Sequence, residues 1–424
     1  PKVRGRWLQA TSAASSQIAR LNITWSSLAP SKPSHPGDPA DPAYRFGTLD
    51  AAVRSAAGHH LTVLLTVYSA PSWAQARHAP SSVSPGTWRP KAGAFGHLGH
   101  ALAKRYSGHY NPGGAGGPLP RVRFYEAWNE PNLSAYITPQ YRGKHQTSAG
   151  IYRKLLNAFY GGVKSAQRGD RVVSGGLAPY GEDPGGDRTR PLIFLRKLLC
   201  LHGKTASLHA GKCPDKAHMD IVGDHPIDTS GGPNRSAINP NDVATPDFKN
   251  LRKTVRAAES HHLVKPGGHR PLWATEIWWE SNPPDHAEGV SPMKQARYLE
   301  VALQLLARQG ASAVINLQIR DAARTINPGS SATGVFFASG KPKPSFTAWR
   351  FPFVITSRHG NHAKVWSRSP AGGRMRFQKR AGGRWKTVGS QRVHTGEVVR
   401  RNMPVAHGQA VRGRIRLLSS LPFG

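Results

Sequence analysis

Seven strand-length apolar runs, separated by helix-like segments, constrain the fold of this chain more than any other feature. They are "IARLNITW" ending at Trp25, "LTVLLTVY" ending at Tyr68, "VRFYEAWN" ending at Asn129 and "RVVSGGLAP" ending at Pro179. "MDIVGDHPI" ending at Ile227, "PLWATEIWW" ending at Trp279 and "SAVINLQIRD" ending at Asp321 complete the set. Near-continuous apolar runs are what parallel strands covered on both faces require. The segments between them carry helix signals. In "SPMKQARYLEVALQLLARQG", Ser291 is a cap and Pro292 a first helical residue. Leu299, Ala302, Leu303 and Leu306 form the buried stripe, and Gly310 stops the helix. In "TPDFKNLRKTVRAAES", Thr245 and Pro246 offer the same start.

Strands and helices alternating at this length predict a parallel α/β fold, and without a glycine-rich phosphate loop a (β/α)8 TIM barrel is favoured. Eight strands are needed and seven runs are visible. The missing one belongs first, in or before "PKVRGRWLQA", so the first strand is expected to be atypical or truncated. The barrel is expected to occupy residues 1–356. After "GKPKPSFTAWRFPFV" the runs shorten and glycine-rich turns separate them, so residues 357–424 are expected to form a small antiparallel β-sandwich.

Composition narrows the function classes. At 424 residues and 38% hydrophobic content the chain can bury a large core. No apolar run approaches the roughly 18 residues of a membrane span. The formal charge is +35, and after Ser357 fifteen Lys and Arg face a single acid, Glu397. Such a surface adheres to anionic polymers without specificity. No recognisable nucleic-acid motif accompanies it, so no specific nucleic-acid partner is expected. Cys200 and Cys213 are spaced for one local disulfide and lack metal-site spacing, which predicts a secreted or extracellular protein. Pro1 reads as the start of a trimmed or mature form.

Barrel enzymes place their chemistry at the C-terminal ends of strands. Glu130 in "WNEPN" closes the fourth strand, counting the missing first one, and Glu276 in "PLWATEIWWES" closes the seventh. Trp128 stands near the first glutamate, and Trp273, Trp278 and Trp279 near the second. A carboxylate at the end of a buried strand is costly unless something uses it. Two carboxyls between flat apolar walls suit glycosidic bond cleavage: one protonates the leaving oxygen, and the other attacks the sugar carbon or activates water.

"WNEPN", followed about 145 residues later by "WATEIWW", resembles the clan A (4/7) glycoside hydrolases, particularly the family 39 and family 5 type. "TVYSAPSWA", "DHPI" and "TGVFFASGKPKPSFTAWRFPFV" extend the resemblance over most of residues 18–356. It implies Glu130 as general acid/base, Glu276 as nucleophile and Asn129 as the hydrogen-bond partner of the sugar 2-hydroxyl. In a retaining pair the carboxyls stand roughly 5–5.5 Å apart and the acid must start protonated. His225 lies in "DHPI", where relatives resemble "HHPY". Ile227 replaces the tyrosine that orients the nucleophile there, so no orienting partner for Glu276 is legible.

Trp25, Tyr68 and Gln318 end other strands and are candidates to line the sugar subsite, with core or rim packing an equal alternative for each. Trp278 or Trp279 is expected to stack on sugar. Glu126, at even spacing from Glu130, is expected to pair with Arg121 or Arg123, and Glu280 to be a solvated loop residue. The pairs His59–His60 and His261–His262 read as charges at helix ends. Neither a metal nor a cofactor is called for. The leading expectation is a retaining glycoside hydrolase acting on an oligosaccharide, polysaccharide or glycoside. The alternative is a non-catalytic carbohydrate- or anionic-polymer-binding protein on a hydrolase-like barrel.

Overall fold

A computed structural model describes residues 2–114, 116–227, 231–322 and 330–424. The seven apolar runs form parallel strands β1 (Ile18–Thr24), β2 (Thr62–Tyr68), β3 (Phe124–Ala127), β4 (Arg171–Ser174), β5 (Val222–Asp224), β6 (Leu272–Ile277) and β7 (Ala311–Asn316). One ladder runs β1-β2-β3-β4 and another β5-β6-β7, each pair parallel and consecutive in sequence. A parallel bridge between Val173 and Ile221 joins β4 to the approach of β5. Their apolar side chains are buried as strands covered on both faces require: Leu64, Leu65 and Val67 of β2 are fully inaccessible.

Helices α1 (Lys2–Ala13), α2 (Gly47–Gly58), α3 (Ala92–Arg105), α4 (Ser148–Ala166), α5 (Pro191–Leu198), α6 (Phe248–Ser260) and α7 (Pro292–Arg308) accompany the strands. Close packing of α3 on α4 depends on Gly162, where a Cβ would lie 1.9 Å from the Gly96 carbonyl oxygen. The start of α7 follows the sequence pattern: Ser291 accepts the Lys294 amide at 3.3 Å, and Pro292 opens the helix. The start of α6 does not. Thr245 donates to the Pro226 carbonyl (2.8 Å) instead of capping, so its hydroxyl ties the helix entry to the loop leaving β5.

The N-terminal segment departs from expectation. Where the first strand was sought the chain is helix α1, and among the described residues no strand precedes β1 and no ladder joins β7 to β1. A cavity of about 710 Å³ lies between these two strands, lined by Trp7 and Leu8 of α1, Arg20 and Leu21 of β1, and Val314 and Gln318 from β7 and its exit.

After helix α8 (Pro344–Arg350) the chain enters two antiparallel sheets built from β8 (Phe353–His359), β9 (His362–Arg368), β10 (Gly373–Ala381), β11 (Arg384–Val393), β12 (Val398–Pro404), β13 (Val411–Ile415) and β14 (Leu418–Ser419). Their orders are β8-β9-β12 and β11-β10-β13-β14. They enclose a separate apolar cluster that includes Phe351, Phe353, Met375, Phe377 and Met403. The sheets begin at Phe353, slightly before the boundary read from composition. They adjoin the α1–β1 turn, where Arg368 donates to the Ser15 carbonyl at 3.0 Å. Cys200 and Cys213 form a disulfide with a Cα–Cα distance of 5.7 Å. It ties off the hairpin of Leu201–Lys204 and Ser207–Ala210. No helix among the described residues is long and apolar enough to cross a membrane.

Candidate active site

The chain leaving β3 is bent into a hook by its own backbone. Trp128 and Glu130 have φ values of 79° and 37°, a left-handed conformation rare for residues other than glycine. Such strain costs on the order of 1–3 kcal/mol per residue and persists only where surroundings over-determine it. Here they do. The Trp128 amide donates to the Val67 carbonyl (2.9 Å) and the Glu130 amide to the Gly176 carbonyl (3.0 Å). The fully buried Trp128 ring meets Phe95 edge-on at 5.3 Å, and its indole N–H reaches the Tyr136 carbonyl (3.0 Å). Beyond Pro131, Asn132 donates to the carbonyls of Ala178 and Thr189 and accepts the Ala178 amide. The hook therefore fixes Asn129 and Glu130 at the C-terminal end of the strand.

Glu276 arrives from the end of β6, and Arg20 of β1 organises the space between the strands. Its Nε donates to Glu126 (2.7 Å) and to the Thr66 hydroxyl (3.0 Å), one terminal nitrogen to Glu276 (3.0 Å) and the other to Asn129 Oδ1 (2.7 Å). The Thr66 hydroxyl and the Gly176 amide complete the shell of Glu126. Burial works against the charged guanidinium, but Glu126 and Glu276 outweigh it and hold its pKa above the ordinary value. Trp278 donates its indole N–H to the other oxygen of Glu276 at 3.2 Å. The nucleophile candidate is thus oriented by an arginine and a tryptophan. With Ile227 in place of the tyrosine, these two supply the orientation that the sequence left without an owner.

His225, fully buried past β5, sets its Nδ1 2.9 Å from Glu130 Oε1 and 3.9 Å from Glu276 Oε2. Burial disfavours the imidazolium, but Glu276 and Glu130 more than offset this and raise its pKa above the ordinary value. Asp224 beside it is also buried, and burial pushes its carboxyl far up. Tyr136 is a further member that sequence reasoning missed. Burial raises its phenol, helped by Glu130 and Glu276, while a side-chain hydrogen bond with Asn129 opposes the shift.

The remaining candidates divide. Tyr68 is half-buried, edge-on to Tyr136 at 5.7 Å, and feels the charges of Arg20 and Glu276. Gln318 lines the cavity beside Arg20, with its main-chain carbonyl accepting from Asn316. Trp25 is fully buried against Trp73 (5.5 Å) and Phe95 (5.4 Å). A short helical turn, Trp25–Leu28, begins at that residue, and its indole packs in the core instead of lining the sugar subsite. Trp279 is buried against Tyr298, leaving Trp278 as the tryptophan at the carboxylate. Glu126 pairs with Arg20, whereas Arg121 binds Asp170 (2.8 Å). Glu280 is half-buried and accepts the Ala332 amide at 3.1 Å, so it is not a solvated loop residue.

Glu130, His225 and Glu276 each bring a donor atom within 4.8 Å of the others, the one such His and carboxylate cluster among the described residues. A cation fits there poorly on charge grounds. The Arg20 guanidinium already faces Glu276, and His225 Nδ1 is engaged with Glu130 Oε1 at 2.9 Å, so both carboxylates already have partners of their own. The set is better suited to moving a proton and attacking an electrophile.

The fold is one that glycoside hydrolases use. No protein-family model and no curated protein matches the chain. Among solved structures it resembles a family 39 glycoside hydrolase from the gut symbiont Bacteroides cellulosilyticus, with a TM-score of 0.57 and 16% identity over 97% of this chain and 78% of that one. It also resembles a glucosidase from Croceicoccus marinus, with a TM-score of 0.53 and 13% identity over 96% and 92% of the two chains. At such identities the likeness to clan A glycoside hydrolases is one of fold, and the chemistry rests on the residues just described.

Proposed function

We propose that the chain is a retaining glycoside hydrolase on a (β/α)8-type scaffold, with Glu276 as nucleophile and Glu130 as general acid/base. The carrying observation is the approach of the two carboxylates: oxygens of Glu130 and Glu276 converge within 4.8 Å at the ends of β3 and β6. Retaining pairs stand about 5–5.5 Å apart, while an inverting pair is separated by about 6.5–9.5 Å to admit a water.

The chemistry follows from the contacts. One proton is held between Glu130 Oε1 and His225 Nδ1. It passes to the glycosidic oxygen as the bond from that oxygen to the anomeric carbon breaks. Glu276, aimed by Arg20 and Trp278, attacks the anomeric carbon and forms an ester. Glu130, now deprotonated, takes a proton from water, whose oxygen displaces Glu276 and regenerates the carboxylate. Asn129, locked by Arg20, presents its amide to the sugar hydroxyl next to the reacting carbon. The substrate is an oligosaccharide, polysaccharide or glycoside. The disulfide supports a working place outside the cytoplasm.

The test is Glu276→Ala with an activated aryl glycoside. Turnover should fall by at least about 10³-fold, as loss of a covalent nucleophile does. Azide should restore it in part, giving a glycosyl azide of inverted configuration. A folded variant that azide does not rescue would remove Glu276 from the nucleophile role and favour a binding protein on the same scaffold.

A further inference from the structure

The sheet β11-β10-β13-β14 turns Met375, Phe377, Val411 and Ile415 toward the second apolar cluster. Its outer face is built from arginine. Register sets Arg374 opposite Arg392, and Arg376 opposite both Ser390 and Arg414. Arg412 stands opposite Gln378, and Arg380 opposite Trp385. Strand alternation places these six arginines on one side of three adjacent strands. Arg374, Arg376, Arg380 and Arg392 are exposed. None of the six has an ion-pair partner among the described residues. The sandwich's single acid, Glu397, accepts the His394 amide at 2.7 Å.

Like charges directly opposite each other on a sheet are unfavourable, and two such pairs here share Arg376 or its neighbour Arg374. Counter-anions relieve that repulsion. Strands lie about 4.8 Å apart and alternate residues about 6.7 Å apart, so the guanidinium groups repeat in two dimensions. Each fork can take a carboxylate through two parallel hydrogen bonds. A small acid would use one or two forks, whereas a polymer with a carboxylate on every repeat would engage the row. Nucleic acid fits less well. The face is a flat sheet with no projecting element to enter a groove. Its one tryptophan, Trp385, has Arg412 over its ring at 4.2 Å, and among the described residues no second aromatic stands on this face to continue a row of stacked bases.

We propose that this face binds an acidic polysaccharide whose sugars carry carboxylate groups, and so holds the catalytic cleft beside such a polymer. The proposal goes beyond the hydrolase reading, and binding is measured without turnover, so either can fail alone. The experiment is affinity electrophoresis of the full chain in polygalacturonate at about 50 mM salt, where screening is weak. Arg374→Gln/Arg376→Gln/Arg414→Gln is compared with Lys204→Gln/Lys253→Gln/Arg256→Gln, which removes the same charge from exposed or solvent-facing positions on the barrel. The first variant should weaken binding about 10-fold or more, and the second less than about twofold. Both should turn over a small neutral aryl glycoside as the parent does. Equal weakening in the two, or none in either, overturns the proposal in favour of diffuse charge or another surface. Displacement of polygalacturonate by duplex DNA at matched charge concentration overturns it in favour of nucleic acid.

Discussion

Arg20 carries the heaviest structural responsibility in the site, and replacing it with methionine separates its two roles. Methionine keeps the stem but removes the guanidinium that reaches Glu126, Glu276 and Asn129. Arg20 and Glu126 have side chains 5% and 0% exposed, so solvent cannot take over the lost pairing. Breaking a buried pair from one side costs about 3–5 kcal/mol. Glu276 keeps only its Trp278 donor, and a hydrogen bond to a charged group is worth about 1.5–3 kcal/mol, so kcat/KM should fall roughly 10- to 150-fold. Urea unfolding followed by tryptophan fluorescence reads the first effect, and hydrolysis of an activated aryl glycoside reads the second. Adding Glu126→Gln to Arg20→Met removes the stranded buried charge, so the double variant should regain most of the stability and none of the activity. Unchanged urea midpoints in Arg20→Met would refute this reasoning. So would activity that returns together with stability in the double variant.

Two pH effects follow from buried groups. Burial pushes the Glu300 carboxyl up to about 8 against the pull of Arg297 and the Phe353 amide. Its folded pKa lies above its ordinary 4.5, so the native state holds the extra proton and stability falls as pH rises from about 4.5 to about 8. Glu300→Gln should flatten that slope in urea titrations, and an unchanged slope would contradict the assignment. His225 is also held above its ordinary value, here through Glu276 and Glu130 acting against burial. Stability from its charged form is complete below about pH 6.5 and is lost as pH rises through the folded pKa. The stability gap between the parent and His225→Asn should therefore be full below about pH 6.5 and narrow as pH rises above it, and a constant gap would count against the raised pKa of His225.

The legible parts of this molecule were those fixed by local pattern. The seven apolar runs became seven parallel strands because each carries enough buried surface to declare itself. Glu130 and Glu276 were legible because position at a strand end is a local property. Arg20 was not, because its partners come from other strands. Asn22 pairs with Thr66, and Thr66 with Glu126, so the inner layer that unites Arg20, Thr66 and Glu126 exists only once three strands are in register. Trp25 left two readings open for the opposite reason: it ends an apolar run, and only the immediate helical turn decides for core packing by carrying its ring inward. The N-terminal segment reads poorly as a strand because it is a helix, with Leu8 packed into the main apolar cluster.

The central claim is covalent catalysis by Glu276 with Glu130 as its acid. Incubation with a panel of activated 2-deoxy-2-fluoro glycosides, followed by intact-mass analysis and peptide mapping, tests it most directly. These sugars permit attack but slow release of the ester. The account predicts one added glycosyl group, carried by Glu276 in the peptide containing "WATEIWWE". It also predicts no label in Glu276→Ala. A glycosyl adduct on any other residue, or hydrolysis of the parent glycosides with inversion at the anomeric carbon, would contradict it.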